Sequence, residues 1–194
     1  LPFPVLISVF NVDAQTSSPA TSSSNVEAQV QTPPQTQKLE GSPVPSSPVA
    51  TVSSSDPRLV IPAINLNDPI VNVGVTSSGD MAVPDGKTSQ VGLYDGGPQP
   101  GDVGAAVLDA HVFAAFSKLN DLSVGDDIYV QKDGQQLHFV VTAVKTFALS
   151  EITSADLFTP TSDRDLNLIT CAGNLTPDSS TYDHRLVVYA TLAS

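Results

Sequence analysis

The sequence predicts an all-β domain, a barrel or a sandwich, preceded by a segment that does not pack. From Pro57 onward, short runs of β-branched and large apolar residues recur, with a turn signal every eight to twelve residues. Before that point, 22 of the 44 residues from Asp13 to Asp56 are Ser, Thr or Pro, and none is aromatic. Such a stretch buries too little apolar surface to fold. The 40% of residues that are hydrophobic concentrate in the later part, and 194 residues suffice for one ordinary domain with an appendage.

At the N-terminal end, Leu1 to Phe10 is apolar except for Ser8. Ten residues cannot span a bilayer, which takes about 20. Residues 1–12 therefore read as the remnant of a signal or anchor segment, or else as an apolar stub. Residues 13–56 read as a disordered linker with an r.m.s. span of roughly 35 to 40 Å, suited to hold a domain off a surface. Residues 57–194 are the expected folded domain.

Within that domain Ile61-Pro62-Ala63-Ile64 and Ile70-Val71-Asn72-Val73 read as strands around a turn at Asn67-Asp68-Pro69. Turns follow at Ser77 to Asp80 and at Pro84-Asp85-Gly86, then a strand at Val91 to Tyr94 and a corner at Pro100-Gly101. Gly104 to Leu108 is small and apolar, a buried strand that delivers Asp109, Ala110 and His111 to its end. Phe113, Phe116 and Leu119 stand at helical offsets and predict about two turns of helix, closed by Gly125. Asp127 to Val130 and Leu137 to Val144 form a hairpin around Asp133-Gly134, a pair that supplies the positive φ a tight turn needs. Asp156 to Phe158 reads as a helical turn. Two last strands flank a loop carrying Gly173, Asn174, Pro177 and Asp178.

The net charge is −12, with eight basic residues against twenty acidic ones. No electrostatic footprint for nucleic acid exists, and an anionic membrane surface repels the chain. A single cysteine makes no internal disulfide and offers no spaced Cys/His zinc set, so neither a cofactor nor a metal is expected. Asp126-Asp127 and Asp163/Asp165 read as solvated turns, and the sequon Asn174-Leu175-Thr176 as turn chemistry.

The chemistry centres on the last two strands. Cys171 ends one apolar run, and fourteen positions later Arg185 opens the other, so antiparallel pairing makes them neighbours at one rim. A thiol becomes a nucleophile when a cation or a histidine stabilises its thiolate. Of three histidines, His138 sits at a solvent-facing strand position, and His184 points away from Arg185 by alternation. His111 is the best candidate base. On residue type alone Cys171 reads more often as a small buried hydrophobe than as a nucleophile, and Arg185 more often as an ordinary surface cation. Asp109, two residues before His111, reads either as its orienting group or as an exposed strand-end carboxylate.

The runs Leu168-Ile169-Thr170-Cys171, Val107-Leu108-Asp109-Ala110-His111 and Arg185-Leu186-Val187-Val188-Tyr189-Ala190, with Val124 to Ile128 between, resemble in order the signatures of bacterial sortases. The opening Arg58 to Ile64 and the turn Pro100 to Gly104 look closest to the class F branch. The resemblance covers residues 57 to 192 and departs at Asn167 and Ala110, where the family commonly carries Thr and Gly. It implies a closed eight-stranded barrel with short helices and a cysteine transpeptidase acting on sorting signals of LPXTG type. In that reading Cys171 forms a thioester with the Thr carbonyl, and His111 protonates the departing amine and deprotonates the incoming one. Arg185 holds the substrate backbone or oxyanion, and Thr170 and Ala172 contribute to substrate binding. The implied partners are surface proteins bearing sorting signals and an amine acceptor, a cell-wall precursor or a pilin lysine, at the outer face of a Gram-positive membrane. Two rivals stand beside it. A hydrolytic cysteine peptidase commonly places its thiol at a helix start. A cell-wall binding barrel predicts exposed aromatic stripes, for which the absence of Trp gives little support.

Overall fold

The computed structural model describes residues 56–194; the expectations for residues 1–12 and for most of 13–56 lie outside the described residues. Eight strands close into a barrel: β1 (Arg58–Ile61), β2 (Leu66–Val73), β3 (Val91–Tyr94), β4 (Gly104–Asp109), β5 (Asp127–Lys132), β6 (Gln135–Ala148), β7 (Arg164–Leu175) and β8 (Tyr182–Leu192). One short helix, α1 (Ser154–Phe158), precedes β7. Around the barrel the order is β1-β2-β3-β4-β7-β8-β6-β5, closed by pairing of β5 with β1. The pairs β2/β3 and β4/β7 are parallel and the rest antiparallel. Closure leaves no free sheet edge, and the closed eight-stranded barrel that the resemblance implied is the one observed.

The barrel interior is filled from alternate positions of each strand, including Leu59 and Ile61 of β1, Leu108 of β4, Phe139 of β6, Leu168 of β7 and Val188 of β8, all buried. A second apolar cluster lies on the outside of the barrel: Val107, Ile169 and Val187 pack under Met81, Ile152 and Leu157. The segment that follows β2 and helix α1 cover this face. Strands β4 and β7 are thereby buried on both sides, which is why they read as continuous apolar runs and not as alternating ones. The hairpin between β5 and β6 turns on Asp133 and Gly134, both at positive φ, as their sequence requires.

Three local expectations are corrected. Pro62 to Ile64 form a 3-10 turn closed by Asn65 in the left-handed conformation, and β2 runs straight through Asn67-Asp68-Pro69. Pro69 fits a strand because it ends the ladder with β1, opposite Arg58, just before the ladder with β3 begins at Ile70. The segment from Phe113 to Leu119 is a chain of tight turns and not an α-helix. The amides of Ala114, Ser117 and Leu119 each bond the carbonyl three residues back, and the 3-10 turn Leu119–Asp121 completes it. Phe116 and Leu119 still reach the core, while Phe113 is left exposed. The last loop is also shorter than expected: β7 continues through Gly173 and Asn174, with a register shift between Ala172 and Leu175, before the turn to β8.

Candidate active site

Neighbouring strands β4, β7 and β8 bring the chemistry together. Cys171 and Arg185 are direct cross-strand partners in the β7/β8 ladder, so their side chains emerge on one face. That face is the outer one: alternation puts Val107 and Asp109 of β4, Ile169 and Cys171 of β7, and Arg185 and Val187 of β8 on the same side. Above Val107, Ile169 and Val187 the outer cluster is apolar. At the strand ends it gives way to three polar side chains, all buried: Asp109 at 3% exposure, Cys171 at 8% and Arg185 at 0%.

A cleft of about 390 Å³ opens onto this end of the strands. Cys171, His111, Asp109 and Ala110 form one wall, and the segment from Thr76 to Gly86 forms the other. His111 therefore shares the cleft with Cys171. Its ring stacks on Phe113 at 4.8 Å between centroids and 15° between planes, and it hydrogen-bonds the Pro84 carbonyl. Gly86 is the contact that permits this packing, since a Cβ there would stand 2.7 Å from Phe113 and 3.0 Å from the His111 ring. Burial holds the imidazole below its ordinary value of 6.5, against the opposing pull of the Pro84 bond and the Asp85 charge. A neutral ring is the form that accepts a proton.

Arg185 is no surface cation. Its guanidinium donates to the carbonyls of Tyr182 and His184 and to the Thr181 hydroxyl, each at 2.9 Å, which ties the base of β8 to the turn before it. Burial lowers its pKa, while Cys171 and Asp109 favour its charge. The Cys171 thiol is pushed up by burial, drawn down by Arg185 and pushed up again by Asp109. Asp109 is raised well above the usual carboxylate range by burial, opposed by Arg185 and by the Ala110 amide. The two readings of Asp109 are settled against exposure: it is buried in the wall of the cleft.

The other expected residues fall elsewhere. Thr170 faces the barrel interior, 2% exposed, and donates to the Ala110 carbonyl at 2.7 Å, pinning β7 to the residue just before His111. Ala172 is partly buried and packs against the interior cluster. Asn167, a departure from the family pattern, donates to the Leu157 carbonyl at 2.7 Å and fastens α1 to β7. His138 and His184 bond to Asp127 and Asp183, at 2.6 and 2.7 Å, and neither lines the cleft. Among the described residues no cluster of His, Cys, Asp or Glu has the arrangement of a metal site. What the sequence reading missed is the far wall: Asp80, Pro84, Asp85 and Gly86 looked like turn residues, and nothing in their spacing says that the turns fold over a strand end.

The family model of the sortase domain matches residues 59–193. The chain belongs to the sortase family, whose members are cysteine transpeptidases of the cell surface. Solved structures similar to it include a lid mutant of sortase A from Corynebacterium diphtheriae, 22% identical with a TM-score of 0.56, covering 72% of this chain and 70% of that one. Sortase C1 of Streptococcus agalactiae in complex with MTSET is 26% identical with a TM-score of 0.55, covering 73% and 71%. Sortase C-1 from Actinomyces oris is 26% identical with a TM-score of 0.54, covering 71% and 73%. No curated protein sequence matches the chain. Among the described residues no helix is long and apolar enough to cross a membrane.

Proposed function

We propose that this chain cleaves an LPXTG-like sorting signal between Thr and Gly and transfers the acyl group to an amine. The observation that carries the reading is the pairing of Cys171 with Arg185 across β7 and β8, with His111 on the wall of the same cleft. Acyl transfer through a thioester needs a thiol, a base and a stabiliser of developing negative charge. Cys171 Sγ attacks the Thr carbonyl carbon, and the thiol proton passes to His111. The carbonyl oxygen gains charge near the Arg185 guanidinium and the Ala172 amide. Collapse of this intermediate breaks the bond to Gly, and His111 returns the proton to the leaving amine. An incoming amine then gives its proton to His111 as it attacks the thioester, which frees Cys171.

Thr170 serves this chemistry by holding the ends of β4 and β7 together, and Ala172 lies beside the acyl group. The apolar Leu1 to Phe10 and the Ser/Thr/Pro-rich stretch after it support a tethered enzyme at the outer membrane face, with surface proteins as donors and a cell-wall precursor or a pilin lysine as acceptor. Likeness of the opening residues supports the class F branch. The hydrolytic peptidase is less well supported, because Cys171 lies within a strand and not at a helix start.

The test incubates the protein with a panel of quenched LPXTG-like peptides, with and without an amine, and follows Cys171 by mass spectrometry. An acyl adduct on Cys171 and an amine-dependent product, both lost in Cys171→Ala, are expected. An adduct that water clears as fast as the amine does would favour the peptidase. No adduct with any peptide would refute the transpeptidase reading.

A further inference from the structure

Asp109 is the one member of the buried trio for which acyl transfer assigns no role. It stands on the outer face of β4, in register with Ile169, two residues short of Cys171 on the adjoining strand. It lines the same cleft as Cys171, and its Oδ2 is buried without a hydrogen-bond partner. A buried carboxylate without a full set of donors is costly, so one at a strand end beside a thiol calls for an explanation. The charged and titratable groups that face Cys171 are Asp109 on β4, His111 just after it, Arg185 on β8, and Asp80 and Asp85 on the opposite wall. Arg185 is the cation of this set whose charge does not depend on pH near neutrality.

We propose that Asp109 is a positioning residue that competes with the Cys171 thiolate for Arg185, and so sets the pH at which the nucleophile forms. Ionising the thiol while Asp109 is charged places two anions against one guanidinium in a site with little water. Moving the thiol proton to Asp109 instead leaves the charge of the trio unchanged, so thiol and carboxyl titrate as a coupled pair. The pKa directions agree: the charge of Asp109 opposes that of Cys171, and Arg185 favours both anions. The inference rests on Cys171 as the nucleophile but not on what it attacks.

Alkylation by iodoacetamide reads the site alone, because the chain has one cysteine. The rate is followed across neutral and alkaline pH for wild type, Asp109→Asn and Asp109→Ala, with folding checked by thermal melting. Asp127→Asn, which removes a carboxylate on β5, is the control. In either folded Asp109 variant the midpoint of the alkylation profile is expected to fall by about one pH unit, a tenfold gain in thiolate at neutral pH. Because a less basic thiolate is a weaker nucleophile, the rate at neutral pH rises about threefold and the alkaline plateau drops by a similar factor. The opposed changes at the two ends of the profile separate a charge effect from simple loosening of the cleft, which raises the rate at every pH. A midpoint that stays at the wild-type value, or rises, in the folded variants would overturn the proposal. Thioester formation from a sorting peptide, measured in parallel, reports on the transpeptidase reading separately.

Discussion

Gly86→Ala isolates the placement of His111 from every other feature of the site. Gly86 does not occupy the left-handed region, so its backbone tolerates a side chain. The added Cβ would lie 2.7 Å from Phe113 Cε2 and 3.0 Å from both Phe113 Cζ and His111 Cδ2, where ordinary contact begins at 3.4 Å. The stacked rings must therefore retreat by roughly 0.4 to 0.7 Å. Phe113 is 56% exposed and has solvent to move into. Relief of that contact, together with the smaller conformational freedom of Ala in the unfolded chain, worth about 0.4–1 kcal/mol, keeps the stability change near zero. Catalysis is less forgiving, since a misplacement of about 1 Å can cost on the order of 100-fold. Half that displacement corresponds to about a tenfold loss. The assay is turnover of a quenched sorting peptide with an amine acceptor, alongside iodoacetamide alkylation of Cys171, which is expected to stay within about twofold of wild type because the thiol is untouched. Turnover at the wild-type rate, in a folded protein whose His111 ring resonances have moved, would refute the argument that the position of this ring limits the reaction.

Four further outcomes are expected. Gly173→Ala forces a side chain to φ +79° and drives its Cβ onto the Asp183 carboxylate; the backbone strain alone costs about 1–2 kcal/mol in denaturant unfolding, and an unchanged midpoint would count against the bulge at the rim. Asn167→Ala leaves the buried Leu157 carbonyl without its donor and should cost about 1–3 kcal/mol, with faster amide exchange in α1 as the local sign. The His111 ring should titrate by NMR below 6.5; because the fold favours its neutral form, stability is lost as pH falls from 6.5 through the lower folded value, and His111→Gln should remove that loss. Asp109 has the opposite dependence: its folded carboxyl keeps its proton above the unfolded value of 3.8, so its contribution is fully present below 3.8 and lost as pH rises through the raised folded value. Asp109→Asn should therefore gain stability relative to wild type as pH increases, and a difference independent of pH would contradict the burial of a charged group there.

Much of the fold is written in local chemistry. Asp133-Gly134 adopts the two positive φ values that define a tight hairpin whatever lies beyond it, and Gly104 to Leu108 has no polar residue with which to face water. The approach of Cys171 to Arg185 is also local in origin: two strands joined by a short turn pair antiparallel, and fourteen residues of separation then fix the partners. Helical offsets at Phe113, Phe116 and Leu119 are a weaker guide, because a chain of three-residue turns repeats at nearly the same interval. Pro69 likewise reads as a turn residue until it is known that β2 changes partners there.

The sequence by itself determined that the short strands begin near Pro57, and that the thiol and guanidinium lie at the meeting of the last two of them. It put His111 forward as the candidate base by setting aside two other histidines. Tertiary structure alone decided that the outer face of β4, β7 and β8 is covered, because the covering residues, Met81 and Leu157 among them, are remote in sequence and carry no periodicity that announces their target. That cover sets Asp109 in the wall of a cleft shared with Cys171 where the sequence allowed an exposed strand-end carboxylate, and Arg185, a candidate surface cation, is buried as well. Burial is a property of what packs above a residue, and charge in a buried site acts far more strongly than the same charge in water.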